Sequence, residues 1–322
     1  MISLGSIILV IIAIAFSWSM GAHYTGACMG MPYATGSIKL RPALALMAVM
    51  TLIGASFFSH HVLIHVGHGI IAGQLSEIGA IATIGVAFAL TTLFTQLRVP
   101  TSTIQILVFC LIGAAMSLGL GVRWNAIMGL VVLWLAAPFI ACGLGYVLTR
   151  VFDRIPPLGQ GNAAPLIARL LVIVGALASV AMGANDVSNA TAVFLSLHLT
   201  GPLLAGVLGG LGLALGVLTW GRPLLERVAF DIVRMDRVMA TAAQMVQAVV
   251  ILVAVGFGYF TSMNQALIGA MAGTGFARGR QTIRTQTIFG ILRGWVIGPA
   301  AGFALTYVAV WALTAAAGNP AG

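Results

Sequence analysis

Long apolar runs separated by short polar stretches fill this chain, and most of the runs are of membrane length. Segments 4–36, 42–58, 75–96, 101–119, 124–150, 163–197, 202–220, 238–259, 261–277 and 285–312 each read as a membrane helix. A helix rising about 1.5 Å per residue needs about 20 apolar residues to cross a hydrocarbon core of about 30 Å. The first and sixth runs exceed that length and carry polar interruptions, so each is expected to be a broken helix. The sharper interruption is Met182-Gly183-Ala184-Asn185-Asp186-Val187-Ser188-Asn189-Ala190. Hydrocarbon offers an unpaired peptide group no water, so a break there survives only where it lines a cavity or holds an ion. A carboxylate at that depth costs roughly 2.5–3.5 kcal/mol on insertion scales, which marks Asp186 as functional.

The second half restates the first at an offset of about 160 residues. Gly21-Ala22-His23-Tyr24 answers Gly183-Ala184-Asn185-Asp186, and Pro42 answers Pro202. Thr101-Ser102 with Gln105 answers Thr261-Ser262 with Gln265, and Trp134 with Pro138 answers Trp295 with Pro299. Each half holds an odd number of crossings, so the copies are expected upside down relative to each other. The expected organisation is a first inverted repeat over 1–152, a Pro/Gly-rich cytoplasmic linker over 153–162, and a second repeat over 163–322. The fold class that follows is an all-α polytopic membrane protein of two inverted-topology repeats with broken helices at the midplane. In such proteins the substrate site lies at the repeat interface.

Composition supports this class: 60% of the 322 residues are hydrophobic, 7% are charged and the mean hydropathy is +1.09, outside the range of soluble domains. No Lys or Arg precedes the first apolar run, so residues 1–20 read as a mature membrane helix rather than a cleaved leader. The formal charge of +9 is explained by basic loops on one side of the membrane, at Lys39/Arg41, Arg98, Arg150/Arg154, Arg222 to Arg237 and Arg278 to Arg284, with Arg123 as the exception. Nucleic acid is therefore not an expected partner, whereas the lipid bilayer is. Both termini are expected outside the cytoplasm. Within the basic stretch from Arg222, charged and apolar residues alternate as in an amphipathic interfacial helix. Gly206, Gly209, Gly210, Gly212 and Gly216 give the seventh crossing a smooth face for close packing. Cys28, Cys110 and Cys142 show no metal-ligand spacing and read as inert thiols.

The polar residues inside the apolar runs carry the chemistry. Asn185, Asp186 and Asn189 offer a carboxylate and two amides within five residues, a set able to hold a coupling cation, with Na+ at Asp186 as one candidate. N–H groups at a helix break favour anions. Ser188, Thr101, Ser102, Gln105, Thr261, Ser262 and Gln265 supply neutral hydroxyl and amide donors that bind an oxyanion without trapping it; the Ser and Thr residues read equally well as helix caps. His23, Thr25 and Arg293 are further candidates for a proton or anion contact. His23 reads equally as a buried, hydrogen-bonded ring, and Arg293 as a side chain snorkelling to the membrane edge. His61, His65 and His68 would share a helix face beside His60 at a spacing that can hold Zn2+. That spacing supports a rival class, an intramembrane metalloenzyme; a solvated polar face is the simpler reading. No catalytic residue and no cofactor beyond a coupling cation is expected.

Gly183-Ala184-Asn185-Asp186-Val187-Ser188-Asn189-Ala190 resembles the signature of the inorganic phosphate transporter (PiT) family, which includes Na+- or H+-coupled phosphate symporters and bacterial sulfate permeases. Through the repeats the resemblance covers nearly the whole chain. It implies a multi-pass, bacterial-type plasma-membrane protein, a homodimer, and one anion site between the signature segments and the Ser/Thr-bearing segments. The first copy departs from the family pattern: His23-Tyr24 stands where phosphate symporters carry a second Asn-Asp, followed by Thr25, Gly26 and Ala27. A second Na+ site is therefore not expected, and the field at the anion is less negative. Sulfate, with no proton to donate, loses nothing when an acceptor carboxylate is absent. The resemblance thus favours a sulfate permease driven by H+ or Na+, with a Na+-coupled phosphate transporter as the alternative.

Overall fold

The computed structural model describes residues 3–60, 70–155, 164–196, 200–232, 235–279 and 285–316. The first half contributes α1 (Leu4–His23), α2 (Thr25–Ala34), α3 (Leu40–Phe57), α4 (Glu77–Gln96), α5 (Thr103–Ser117) and α6 (Trp124–Asp153). The second contributes α7 (Ala164–Ser196), α8 (Pro202–Trp220), α9 (Arg222–Asp231), α10 (Arg237–Gly256), α11 (Met263–Arg278) and α12 (Thr285–Ala316). A two-residue antiparallel ladder, Ile71–Ala72 with Gly121–Val122, clips the start of α4 to the end of α5. Among the described residues eight helices are long and apolar enough to cross a membrane, and Thr103–Ser117 is a shorter apolar helix. The chain is a multi-pass membrane protein.

The two expected breaks come out differently. In the first copy α1 stops at His23 and α2 starts at Thr25, with Tyr24 at φ −98°, ψ 3° between them. In the second copy α7 runs unbroken through Asn185 and Asp186, which corrects the sequence expectation. The polar residues there do not unwind the helix because they bond back into it or across to a neighbour. Ser188 and Thr191 donate to the carbonyls of Asn185 and Val187 (3.1 and 2.9 Å), a pattern helices tolerate. Asn185 spends its amide on another segment altogether.

The segments expected to begin at 101 and 261 also start later. Thr101-Ser102 and Thr261-Ser262 are extended, and Ser102 and Ser262 act as N-caps, accepting from the backbone N–H of Gln105 and Gln265 (3.4 and 3.3 Å). What remains is 15 and 16 residues, a rise of about 22–24 Å at about 1.5 Å per residue, short of a core of about 30 Å. Both helices therefore begin inside the protein, where Thr101, Ser102, Thr261 and Ser262 are all buried.

Glycine fixes how the halves interlock. A Cβ at Gly21 would fall on the Leu213 carbonyl oxygen, and one at Gly183 on that of Thr51. One at Gly216 would fall on the Trp18 carbonyl, and one at Gly54 on that of Val180. These contacts are reciprocal: each pairing of α1 with α8 recurs between α7 and α3 at the offset of about 160 residues seen in the sequence. The same exchange pairs α5 with α12 and α11 with α6. The expected smooth face of α8 is present, with Gly206 and Gly210 against Ala55, and Gly212 against Ser17.

At the helix ends, α9 lays Leu224, Leu225, Val228 and Ala229 inward and meets α2 at Gly26, while Arg222–Glu226 and Arg227–Asp231 pair along its outer face (both 2.7 Å). Arg278 binds Asp153 and Asp236 (2.6 and 3.4 Å), tying together α11, α6 and the start of α10. Residues 156–162 of the expected linker lie outside the described residues, as do His61, His65 and His68.

Candidate functional site

The first turns of α5 and α11 meet. Gln105 and Gln265 form a reciprocal amide pair, each Nε2 donating to the other's Oε1 (3.2 and 3.1 Å), and Asn264 Nδ2 donates to the Thr101 carbonyl (2.7 Å). Each helix N-terminus carries about half a positive charge and first-turn N–H groups that its own helix leaves without partners. Two such termini facing one another, with Ser102, Ser262, Thr101 and Thr261 beside them, make a place where an oxyanion is favoured without any fixed positive side chain. A cavity of about 320 Å3 lined by Gln105, Phe109, Trp134, Trp295 and Pro299 among others adjoins the amide pair.

Each extended segment is braced by the polar residue of its own repeat's signature. Asn185 Nδ2 donates to the Thr261 carbonyl and its Oδ1 accepts the Thr261 N–H (2.9 and 3.2 Å). In the first copy His23 does equivalent work: Nε2 accepts the Thr101 N–H (3.1 Å) and Nδ1 lies 2.8 Å from Thr95 Oγ1. Thr95 gives its own proton to the Thr91 carbonyl (2.7 Å), so the network assigns the ring proton to Nδ1. Histidine thus replaces asparagine as a neutral brace. The His23→Asn variant is expected to melt close to the wild type, whereas His23→Ala leaves the Thr101 N–H without its acceptor and takes from Thr95 Oγ1 the ring N–H it accepts, costing about 1–3 kcal/mol. Thermal unfolding in detergent checks this, and equal melting of the two variants would refute the brace.

Asp186 is fully buried, and among the described residues it is the only buried acid. Asn185 Nδ2 reaches its Oδ2 (3.1 Å), and Asn189 Nδ2 lies 3.5 Å from its Oδ1. The Tyr24 hydroxyl lies 2.8 Å from Oγ1 of Thr103, the first helical residue of α5. Two buried oxygens among the candidate residues, Asn189 Oδ1 and Thr261 Oγ1, have no protein partner. Among the described residues no three His, Cys, Asp or Glu side chains group together as a metal site would require.

The structure thus brings together Thr101, Ser102, Gln105, Thr261, Ser262, Gln265, Asn185, Asp186 and His23. It places three other candidates differently. Ser188 is buried but its hydroxyl is given to the Asn185 carbonyl (3.1 Å). Thr25 donates to the Gly221 and Ala22 carbonyls (2.5 and 3.0 Å), at the α8–α9 junction. Arg293 lies on the exposed face of α12, as a snorkelling side chain does. Tyr24, Thr103 and Asn264 join the site: Thr103 and Asn264 belong to the duplicated segments that supply hydroxyl and amide groups, and Tyr24 stands where a second Asn-Asp is absent. Their signal was position alone: each neighbours a duplicated polar residue.

Comparison with known proteins identifies the family and the fold. Residues 20–306 match the model of the phosphate transporter family. The sulfate permease CysP of Bacillus subtilis is 27% identical over 318 residues, covering 94% of this chain and 86% of that protein. A probable low-affinity inorganic phosphate transporter of Mycobacterium tuberculosis is 28% identical over 319 residues, covering 94% and 76%. A solved structure described as the sodium-dependent phosphate transporter shares the fold, with a TM-score of 0.88 at 20% identity over 96% of this chain and 98% of that one. With its signature segments, paired helix N-termini and a family match over most of its length, the chain belongs to the phosphate transporter family.

Proposed function

We propose that this protein is a secondary active transporter of a small tetrahedral inorganic oxyanion in the plasma membrane, built from two inverted repeats and assembled as a homodimer. The observation that carries the reading is the meeting of two helix N-termini, lined by neutral hydroxyls and amides, within reach of one buried carboxylate. Thr101, Ser102, Thr261, Ser262, Gln105 and Gln265 contact the anion, the two glutamines by opening their mutual pair. Asp186 takes the coupling cation, H+ or Na+, with Asn185 and Asn189 ordering it. Sulfate is the favoured substrate: with His23-Tyr24 in place of a second Asn-Asp, Asp186 is the single buried carboxylate among the described residues, and a phosphate O–H finds few acceptors.

A second reading, Na+-coupled phosphate transport, draws on the unpartnered oxygens Asn189 Oδ1 and Thr261 Oγ1, which suit a cation, and on the description of the solved structural relative. Uptake of labelled sulfate and phosphate into proteoliposomes, under imposed Na+ and pH gradients in turn, separates the two. Cation-driven sulfate uptake, with phosphate a weak competitor, is the expected result. Phosphate uptake driven by Na+ alone would favour the second reading, and uptake of neither anion under either gradient would overturn both.

A further inference from the structure

Trp134 and Trp295 hold equivalent places in the two halves, each just ahead of a proline, Pro138 or Pro299. Their helices pack on equivalent partners. A Cβ at Gly273 of α11 would fall on the Cys142 carbonyl of α6, and one at Gly113 of α5 on the Phe303 carbonyl of α12, the same contact at the repeat offset. The indole N–H groups nevertheless differ. Trp295 Nε1 donates to the carbonyl of Pro100 (3.1 Å), the residue before Thr101, whereas Trp134 is buried and its Nε1 has no partner. By the same offset, the carbonyl that would match it belongs to Phe260, the residue before Thr261. The two extended segments differ in the same sense: Thr101 Oγ1 lies 3.3 Å from His23 Nε2, and Thr261 Oγ1 has no partner. The segment at 100–102 is thus tied by an indole and through its threonine hydroxyl, and the segment at 260–262 lacks both bonds.

A buried N–H without an acceptor costs free energy, so an unmatched indole beside a matched twin calls for a reason. In a protein of two like halves a difference in arrangement can be exchanged, the first half taking up what the second now has, and alternating access around a fixed site needs two such states. We propose that the two tryptophans are positioning residues that hold the anion-binding segments in turn. In the state seen here Trp295 holds the Pro100 carbonyl, and with it Thr101 and Ser102. In the opposite-facing state Trp134 holds the Phe260 carbonyl, and with it Thr261 and Ser262, while Trp295 releases Pro100. Both indoles line the cavity of about 320 Å3 beside Gln105, which gives the rings space to exchange roles. One indole bond forms as the other breaks, so the two states stay close in free energy.

This inference rests on the transport reading above, and the experiment keeps the two separable. Initial uptake of labelled sulfate and labelled phosphate is measured in right-side-out and in inside-out membrane vesicles. The ratio of the two KM values reports the balance of facing states, because apparent affinity falls with the fraction of protein open to that side. Trp295→Phe removes a bond made in this state and moves the balance away from it. Trp134→Phe removes the N–H left unmatched in this state and moves the balance toward it. The ratio is expected to shift by about fivefold, the effect of one net hydrogen bond, in opposite directions in the two variants. In the double variant it is expected to return to within about twofold of the wild type, since the two losses offset. Trp134→Leu and Trp295→Leu remove the same N–H groups should a phenylalanine variant fold poorly. A wild type that moves neither anion overturns the transport reading and this inference with it. A transporting wild type, with shifts in the same direction or with either single variant keeping the wild-type ratio, overturns this inference alone. A merely structural role would raise both KM values together and leave the ratio intact.

Discussion

Asp186→Asn is expected to lower cation-driven anion uptake by about 30- to 150-fold while the protein still folds. The figure follows from about 2–3 kcal/mol for the hydrogen bonds and ion contact of a charged group, at about 1.4 kcal/mol per tenfold. The substitution removes the negative charge and replaces one oxygen by an NH2 group. That group meets donors on either side, Asn185 Nδ2 at 3.1 Å from Oδ2 and Asn189 Nδ2 at 3.5 Å from Oδ1, so the variant side chain satisfies one neighbour at most. Folding survives because the cost of burying an ion disappears with the charge. Uptake in proteoliposomes under the gradient that drives the wild type reads the effect. Cation-driven uptake at the wild-type rate would remove Asp186 from the coupling site.

The contrast between Asp186 and the residues around it shows what a sequence of this kind discloses. A lone carboxylate inside apolar runs stands out because hydrocarbon makes it expensive, and the duplicated Thr-Ser and Gln positions stand out because two copies of one polar pattern are hard to reach by chance. These were legible, and the structure gathers them at one place. Direction was less legible. The polar content of 182–190 predicted a break in α7, but the helix persists because its hydroxyls bond inward and Asn185 bonds Thr261. Gln105 and Gln265 were expected to face an anion, and they face each other. Tyr24 stands out in the sequence only as the residue in place of a second Asp, since nothing local shows that its hydroxyl reaches a helix starting at residue 103. Local pattern shows which side chains need partners, and only the tertiary packing decides who the partners are.

Glycines show the same division, and the second large effect comes from one of them. Gly183→Val is expected to lower the melting temperature in detergent by about 6–12 °C and to abolish uptake. A Cβ at Gly183 falls on the Thr51 carbonyl oxygen, with the Ala55 N–H at 2.7 Å. Both are backbone atoms, so no side chain can rotate away, and α7 must move off α3. In a membrane, helices associate through packing rather than through exclusion of water, and a radial gap of 0.5–1 Å already forfeits a quarter to a half of each contact. A cost of about 3 kcal/mol, at the upper end for overpacking, corresponds to that melting shift at about 2–4 °C per kcal/mol. Function is lost as well because Asn185 lies two residues further along α7, where the same displacement draws its amide off the Thr261 backbone. Gly143, on α6 with open space where its Cβ would stand, is the control: Gly143→Ala is expected to melt no lower than the wild type, since the helix interior prefers alanine by about 0.5–1 kcal/mol. If Gly183→Val melted with the wild type, the α3–α7 crossing would not set the position of Asn185. If it melted lower but transported normally, the brace on Thr261 would carry no functional weight.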